Sequence, residues 1–440
     1  MSRWFTSPSG GIDGAEGRPR KSTRCREGGS SHVLPSTPSG VPSMRLLVRM
    51  AVATLLTVPP IAAGSASAAA PEPTPAPLKT AANPVPGRYI VTLDKGVDAA
   101  KAAHKLGLKP SFVYTSAING FAVPMTPLQL TIVRNSLGVK SVEEDANVQS
   151  VPKPAFAPGM RAPSNSWGQD RIDQKELPLD QSFSVEGNGA GVTAYILDTG
   201  IDYQHTEFGG PDATRATFGF DSVGDGRNGQ DCQGHGTHVA GTVAGKTYGI
   251  ARKASLVSVR VLGCDGKGTW SGIIAGLDWV AKNAKQPAVL NASLGGDRSE
   301  TVNDAANAVT DAGVLPVVAA GNSAKDACFV SPASASRVLT VAASNEWDEE
   351  TDFSNWGSCV SLYAPGQAIV SAKLGGGSVA LNGTSMAAPH VAGVAALYKQ
   401  AHPNADPSEI NEFLEQESTK DVLKSVSKSS PNKLLFTAGL

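Results

Sequence analysis

The chain has almost no charge imbalance: 38 Lys and Arg stand against 39 Asp and Glu, for a net charge of −1. So neutral a balance argues against nucleic acid or an anionic membrane as the main partner. Charged residues are scarce in total, at 18%. Aromatics are scarce too, at 6%, and there are only 5 cysteines in 440 residues, which excludes a disulfide miniprotein. No uncharged apolar run reaches the roughly 18 residues of a spanning helix. There is no collagen period, heptad pattern or internal repeat. What is present is a 41% apolar fraction, ample for a core, with 47 Gly and 30 Pro. That composition fits a loop-rich globular chain, and the length allows about three domains.

The chain divides by texture. Residues 1–43 are basic and rich in Gly, Ser and Pro, with little to bury, so they read as disordered or as a wrongly chosen start. From Met44 a charged start, an apolar run (Leu46 to Ala63) and small residues (Gly64 to Ala70) follow in order. That is the layout of a secretory signal over 44–70, cut after Ala68 or Ala70. It implies a secreted, extracellular protein. A Pro/Ala spacer is expected over 71–86. Residues 87–150 read β-α-β-β-α-β: strands at Arg88 to Leu93, Phe112 to Tyr114, Phe121 to Val123 and Val139 to Val148, helices at Asp98 to Leu106 and Thr126 to Ser136. This order predicts a small α+β, ferredoxin-like domain. A second Pro-rich stretch, 151–165, is a natural cleavage site. From 166 to 440 apolar strands alternate with helices such as Ser271 to Ala284 and Thr301 to Ala312. Near-continuous apolar strands require burial on both faces, hence a parallel sheet between helix layers in an α/β fold.

Four cysteines, Cys232, Cys264, Cys328 and Cys359, lie in the large domain. An even count behind a signal suggests two disulfides. Three connectivities are open, and the nearest-neighbour pairing is the simplest.

Four segments carry candidate chemistry. Asp198 follows the apolar strand Ala194 to Leu197 and precedes Gly200, at a strand end where open α/β sheets bind ligands. Alone it is a strand-capping Asp. His235 stands between Gly234 and Gly236 at a helix start, where glycine admits close approach. With His238 it has metal-like spacing, but no Glu or Cys completes a ligand set. Ser385, in Asn382-Gly383-Thr384-Ser385-Met386, begins a helix whose dipole favours developing negative charge. A lone Ser there is more often a cap. Asn322 ends the buried strand Val317 to Gly321 and offers an amide donor; a turn Asn is the plain alternative. Together they supply a nucleophile, a base, a carboxylate to orient the base and an oxyanion donor, the parts that acyl transfer by serine requires.

These segments, in the order Asp, His, Ser, resemble the subtilisin-like serine proteases, nearest the proteinase K-like and aqualysin-like group. The resemblance runs from Trp167 to the end. It includes Asp231-Cys232-Gln233-Gly234-His235-Gly236-Thr237-His238, Ser293-Leu294-Gly295-Gly296, Phe353-Ser354-Asn355-Trp356-Gly357-Ser358-Cys359 and Asn432-Lys433-Leu434-Leu435. The unit from Gly87 to Asp145 is similar to the family's inhibitor-type propeptide, which assists folding, blocks the site with its tail and is removed autocatalytically.

The resemblance implies a subtilisin-like three-layer fold with a mostly parallel sheet, and a secreted, monomeric serine endopeptidase made as a zymogen. Its mature start is expected between Ala155 and Ser166. Gly266, Lys267, Gly268, Thr269 and Trp270 should pair with an extended substrate. Ser293, Leu294, Gly295, Ala319, Ala320 and Gly321 should line a roomy, uncharged primary pocket, favouring apolar or aromatic P1 residues. Partners are then protein and peptide substrates and the chain's own propeptide, with no nucleic acid and no membrane after signal removal. The nearest-neighbour disulfides agree with this subgroup. Asp170, Asp173, Gln174 and Asp180 match a calcium loop of the subgroup, and hard oxygen donors suit Ca²⁺; a solvated acidic loop is the alternative. Asp221 and Asp225 offer a second carboxylate pair. Ser361 stands where relatives carry an Asp ligand, which weakens the calcium site near Ser336 and Val338. A non-catalytic peptide-binding or inhibitory relative, and an esterase or acyltransferase using the same triad, are the competing readings.

Overall fold

The computed structural model describes residues 74–150, 166–427 and 429–440. The expected signal, the basic leader and the cleavable stretch 151–165 lie outside the described residues.

The first unit runs β1 (Leu78–Lys79), β2 (Pro84–Leu93), α1 (Ala99–Lys105), β3 (Phe112–Tyr114), β4 (Gly120–Pro124), α2 (Pro127–Arg134) and β5 (Val139–Ser150). The β-α-β-β-α-β order is the expected one. β2 pairs antiparallel with β4 and β5, and β3 with β4. Side-chain alternation divides the sheet. Val91, Leu93, Phe121, Val123 and Val142 pack with Ala99, Ala103 and Val133 of the two helices. Ile90, Tyr114, Ala122, Ala146 and Val148 face the other way, into the core of the large domain. α2 begins with a capping box, Thr126 and Gln129, and Pro at its first turn.

The Pro/Ala segment differs from the expected spacer. Leu78 and Lys79 pair in parallel with Val142 and Glu143, and Arg134 Nε donates to Ala76 O at 2.8 Å. Proline lacks a donor but keeps its carbonyl, and Pro77 O accepts from Val142 N at 3.0 Å. So the segment serves as an edge strand.

The large domain continues with α3 (Trp167–Ile172), β6 (Thr193–Asp198), β7 (Ala216–Asp221), α4 (His235–Ala244), β8 (Ser255–Arg260), β9 (Lys267–Thr269), α5 (Trp270–Asn283), β10 (Ala288–Ala292), β11 (Leu294–Asp297) and α6 (Glu300–Asp311). Then come β12 (Leu315–Ala319), β13 (Val330–Ser331), β14 (Leu339–Ser344), β15 (Leu362–Pro365), β16 (Ile369–Ala372), β17 (Ser378–Leu381), α7 (Thr384–Ala401), α8 (Pro407–Glu417), β18 (Thr419–Lys420) and β19 (Lys433–Leu434). Among the described residues the central sheet has nine strands, ordered β18-β19-β15-β14-β12-β10-β6-β8-β7. Every pairing is parallel except β18 with β19. Ala194 and Ile196 face the layer of α4 and α7, while Tyr195 and Leu197 face α5 and α6. This is the expected three-layer α/β architecture.

His390 is wholly buried in α7, with Nδ1 donating to Met386 O at 2.8 Å, and burial pushes its pKa down to about 4. The unfolded chain takes up this proton near its ordinary value of 6.5, the folded chain only near 4. The contribution to stability is therefore complete above that ordinary value and falls as the pH drops toward the depressed one, by about 3 kcal/mol in all. His390→Asn should flatten the acid side of the stability–pH curve in urea unfolding; an unchanged slope would refute this source.

Candidate active site

β6 delivers Asp198 to the carboxyl end of the sheet, where it is fully buried. α4 opens with His235, and α7 begins at Thr384 with Ser385 as its second residue. Glycine makes the first meeting possible. A Cβ on Gly236 would lie 2.2 Å from Gly200 O, and Gly200 has φ +113°. Without these two glycines the helix start could not close on the strand end.

His235 Nδ1 lies 2.8 Å from Asp198 Oδ1 and 3.0 Å from Oδ2. A carboxylate there selects the tautomer with the proton on Nδ1 and leaves Nε2 as acceptor. Nε2 is buried and has no hydrogen-bond partner among the described residues. Ser385 Oγ donates to Ser293 O at 3.2 Å. A chain from Asn291 Nδ2 to Ser293 Oγ and on to Ser385 O, both steps 2.9 Å, holds the Ser385 backbone.

Asn322 Oδ1 accepts from both Thr384 N at 2.8 Å and Thr384 Oγ1 at 2.9 Å. This fixes the amide orientation and leaves Nδ2 buried and unpartnered among the described residues. The position a methyl would take on Gly383 lies 3.0 Å from Asn322 Nδ2 and 3.5 Å from Ser385 N. Two donors thus converge on one small space at a helix N-terminus, a geometry suited to an oxyanion. Gly383 has φ +145°, and a side chain there would fill that space.

β5 lies between β9 and β11 as the middle of three antiparallel strands. Asn147, Val148 and Gln149 pair with Thr269, Gly268 and Lys267; Gln149 and Ser150 pair with Gly295 and Leu294. Ser150 N donates to Gly266 O at 2.7 Å. A cavity of about 570 Å³ beside this strand is lined by Gly295, Gly296, Gly321, Asn322, Val330 and Asn355 among others, with the charged Lys267, Asp297 and Lys325 also on its wall. Ser293, Leu294, Ala319 and Ala320 are buried behind that lining. Trp270 is buried too; a Cβ on Gly296 would touch both Trp270 and Val148 at 2.8 Å, so the missing side chain lets Val148 seat there.

Sequence reasoning missed the polar docking of the first unit. Asp145 accepts from Ser271 N at 2.9 Å and Ser271 Oγ at 2.6 Å, at the start of α5. Glu143 accepts from Ser299 Oγ and Thr301 Oγ1 at the start of α6. Both carboxylates sit at helix N-termini, where negative charge is favoured. In return Asp278 Oδ1 accepts from the backbone N–H groups of Thr115, Ser116 and Ala117 at 2.7–2.9 Å. Asp278→Ala leaves these donors unpaired and should raise the inhibition constant of the cleaved first unit about 10–100-fold; an unchanged constant would count against the contact. Nothing in the local sequence of Asp278 distinguishes it from a solvated helix residue. Thr384 was also missed, since its role is visible only once Asn322 lies beside it.

The disulfides are Cys232–Cys264 and Cys328–Cys359. Asp170 accepts from Asp180 N at 3.2 Å and Gln181 N at 2.8 Å, Asp173 from Ser184 N at 2.6 Å, and Gln174 Oε1 from Asp180 N at 3.2 Å. Burial pushes the Asp170 and Asp173 carboxyls up, and the neighbouring carboxylates add to it. Asp180 is held down by Ser182. Arg171 pairs with Asp348 at 2.6 Å and also donates to the loop carbonyls of Gln174 at 2.7 Å and Lys175 at 3.3 Å. Three carboxylates and an amide oxygen are the donor type that suits a hard divalent cation, but among the described residues Asp170, Asp173 and Asp180 do not bring their oxygens within reach of one ion. Asp221 and Asp225 have a partner within the chain. The Arg260 guanidinium lies 3.0 and 2.6 Å from them and holds the Asp225 carboxyl down at about 2. An internal cation already pairs with both carboxylates. Ser361 Oγ accepts from Thr340 N at 3.2 Å, so it is committed to the backbone.

Residues 189–439 match the Subtilase family and residues 88–150 match Peptidase inhibitor I9. An extracellular serine proteinase of Thermus sp. (strain Rt41A) is 43% identical over 80% of this chain and 90% of its own length. Alkaline serine exoprotease A of Vibrio alginolyticus is 44% identical over 74% of this chain and 60% of its own. The crystal structure of a cold adapted subtilisin-like serine proteinase shares 46% identity at a TM-score of 0.60, covering 62% of this chain and 99% of that one. Family match, fold and site agree: the chain belongs to the subtilase family of serine peptidases and carries an inhibitor-type prodomain ahead of its peptidase domain.

Proposed function

We propose that this is a secreted, monomeric serine endopeptidase made as a zymogen, which removes its own prodomain between Ala155 and Ser166. Ser385 attacks the scissile carbonyl as His235 Nε2 takes its proton, and Asp198 orients the imidazole and stabilises its charged form. Asn322 Nδ2 and Ser385 N hold the oxyanion. His235 then protonates the leaving amine, and water resolves the acyl-enzyme. The observation that carries this reading is the convergence of Asn322 Nδ2 and Ser385 N beside Gly383, next to a strand already seated in the cleft.

Gly266, Gly268 and Trp270 form the edge that pairs with extended substrate. Gly295 and Gly321, backed by the buried Ser293, Leu294, Ala319 and Ala320, build a primary pocket whose own segments carry no charge. Peptide anilides with Phe or Leu at P1 should give kcat/KM at least about tenfold above those with Asp or Lys, by the cost of burying an unpaired charge. Preference for a charged P1 would overturn the assignment.

Asp170, Asp173, Gln174 and Asp180 would close around a structural Ca²⁺, which relieves their mutual repulsion. Chelation should lower the Tm of the Ser385→Ala chain by several degrees, about 1–3 kcal/mol by ligand linkage, and Asp170→Asn should abolish that response. A Tm indifferent to chelator would remove the ion from the account.

A further inference from the structure

One buried carboxylate beside the site takes part in none of the steps above. Asp231 is only 6% exposed, yet five donors meet on it. Oδ1 accepts from Thr199 Oγ1 at 3.0 Å, Gln233 N at 2.8 Å and Gly234 N at 2.9 Å. Oδ2 accepts from Thr237 N at 3.0 Å and Thr237 Oγ1 at 2.6 Å. These donors come from two elements. Thr199 follows Asp198 directly at the end of β6. Gln233 and Gly234 lead into α4, whose first residue is His235. Thr199 Oγ1 then accepts from Gly236 N at 2.9 Å, closing the link from the helix side.

The arrangement needs a carboxylate. Both oxygens are surrounded by donors alone, so an amide would set its own NH₂ against N–H or O–H groups. No Lys or Arg side chain is paired with Asp231 among the described residues. Its charge is met by these donors and by the N-terminus of α4.

We infer that Asp231 is a positioning residue: with Thr199 it clamps the start of α4 to the end of β6 and so fixes the His235 imidazole against Asp198, with Nε2, unpartnered among the described residues, left for the Ser385 proton. This rests on His235 acting as the base. Proton transfer tolerates little error in placement, and a shift of about 1 Å costs about 100-fold.

The test uses the full chain carrying Asp231→Asn, Thr199→Val, Thr199→Ser or His235→Ala, assayed on a chromogenic peptide well below each variant's Tm. Asp231→Asn should lower kcat about 10–100-fold with KM within about twofold. Thr199→Val should act in the same direction, about fivefold or more, and Thr199→Ser should restore kcat to within about twofold. The Asp231→Asn/Thr199→Val double variant should be no worse than Asp231→Asn alone, because both cut one link. If Asp231→Asn fails to mature, the Thr199→Val and Thr199→Ser pair decides. The inference is overturned if Thr199→Val keeps wild-type kcat, or if kcat falls only as the folded fraction falls. His235→Ala separates the two levels. If it is inactive while Thr199→Val is normal, only the positioning role fails; if it keeps wild-type kcat, the catalytic reading itself fails.

Discussion

Replacing Ser385 by Ala is expected to lower kcat on peptide substrates by about 10⁶-fold and to leave the prodomain covalently attached. The size follows from what the hydroxyl supplies. The one other polar side chain in the first turn of α7 is that of Thr384, which is committed to Asn322. With the hydroxyl gone, His235 Nε2 has no nucleophile to activate and the covalent path closes. Ser385 is 1% exposed and its Oγ makes a single hydrogen bond, to Ser293 O, so the change to Ala costs the fold little. The secreted variant should begin near residue 70, and the wild type near residue 160, when N-termini are sequenced from cells expressing the chain. Cleavage of the variant at the wild-type position would mean that another protease matures the protein, and peptidase activity would then need separate proof. Undiminished peptidase activity in the variant would exclude Ser385 as nucleophile.

Asn322→Ala is expected to lower kcat by about 10²–10³ with KM nearly unchanged. In the proposed mechanism the amide meets the substrate oxygen only as that oxygen becomes charged, so its loss should fall on the transition state and not on ground-state binding. Thr384 makes the effect specific. Its backbone N–H and hydroxyl both donate to Asn322 Oδ1, so the amide cannot rotate its oxygen into the oxyanion space without losing two hydrogen bonds. Gly383→Ala should produce a loss of similar size by a different route, since its methyl would sit 3.0 Å from Asn322 Nδ2. A large rise in KM with kcat intact would place Asn322 in substrate binding instead.

Much of this was legible in the sequence, for identifiable reasons. Apolar strands buried on both faces, such as Thr193–Asp198, announce a parallel sheet because nothing else can cover both faces. The β-α-β-β-α-β order of the prodomain was readable because short apolar strands such as Phe121 to Val123 alternate with stretches that open on the cap residues Asp98 and Thr126. Asp198, His235 and Ser385 each sit in glycine-flanked segments, and glycine marks where backbones must approach closely. What stayed hidden depends on side chains meeting across long separations. Asp278 and the loop at Thr115 to Ala117 are brought together only by the docking of two separate units. Asp221 and Asp225 read as a cation site because the residue that pairs with them, Arg260, comes from a neighbouring strand. Leu78–Lys79 falls within the Pro/Ala spacer read over 71–86 because a two-residue strand behind Pro77 carries no periodicity.

The most direct test of the central claim is mass-spectrometric mapping of the mature protein after reaction with a sulfonyl fluoride. One label per molecule on Ser385 is expected, with peptidase activity lost in proportion and no labelling in His235→Ala, because the imidazole is what makes that hydroxyl nucleophilic. Loss of activity with the label on another residue, or full activity with Ser385 labelled, would contradict the site described above.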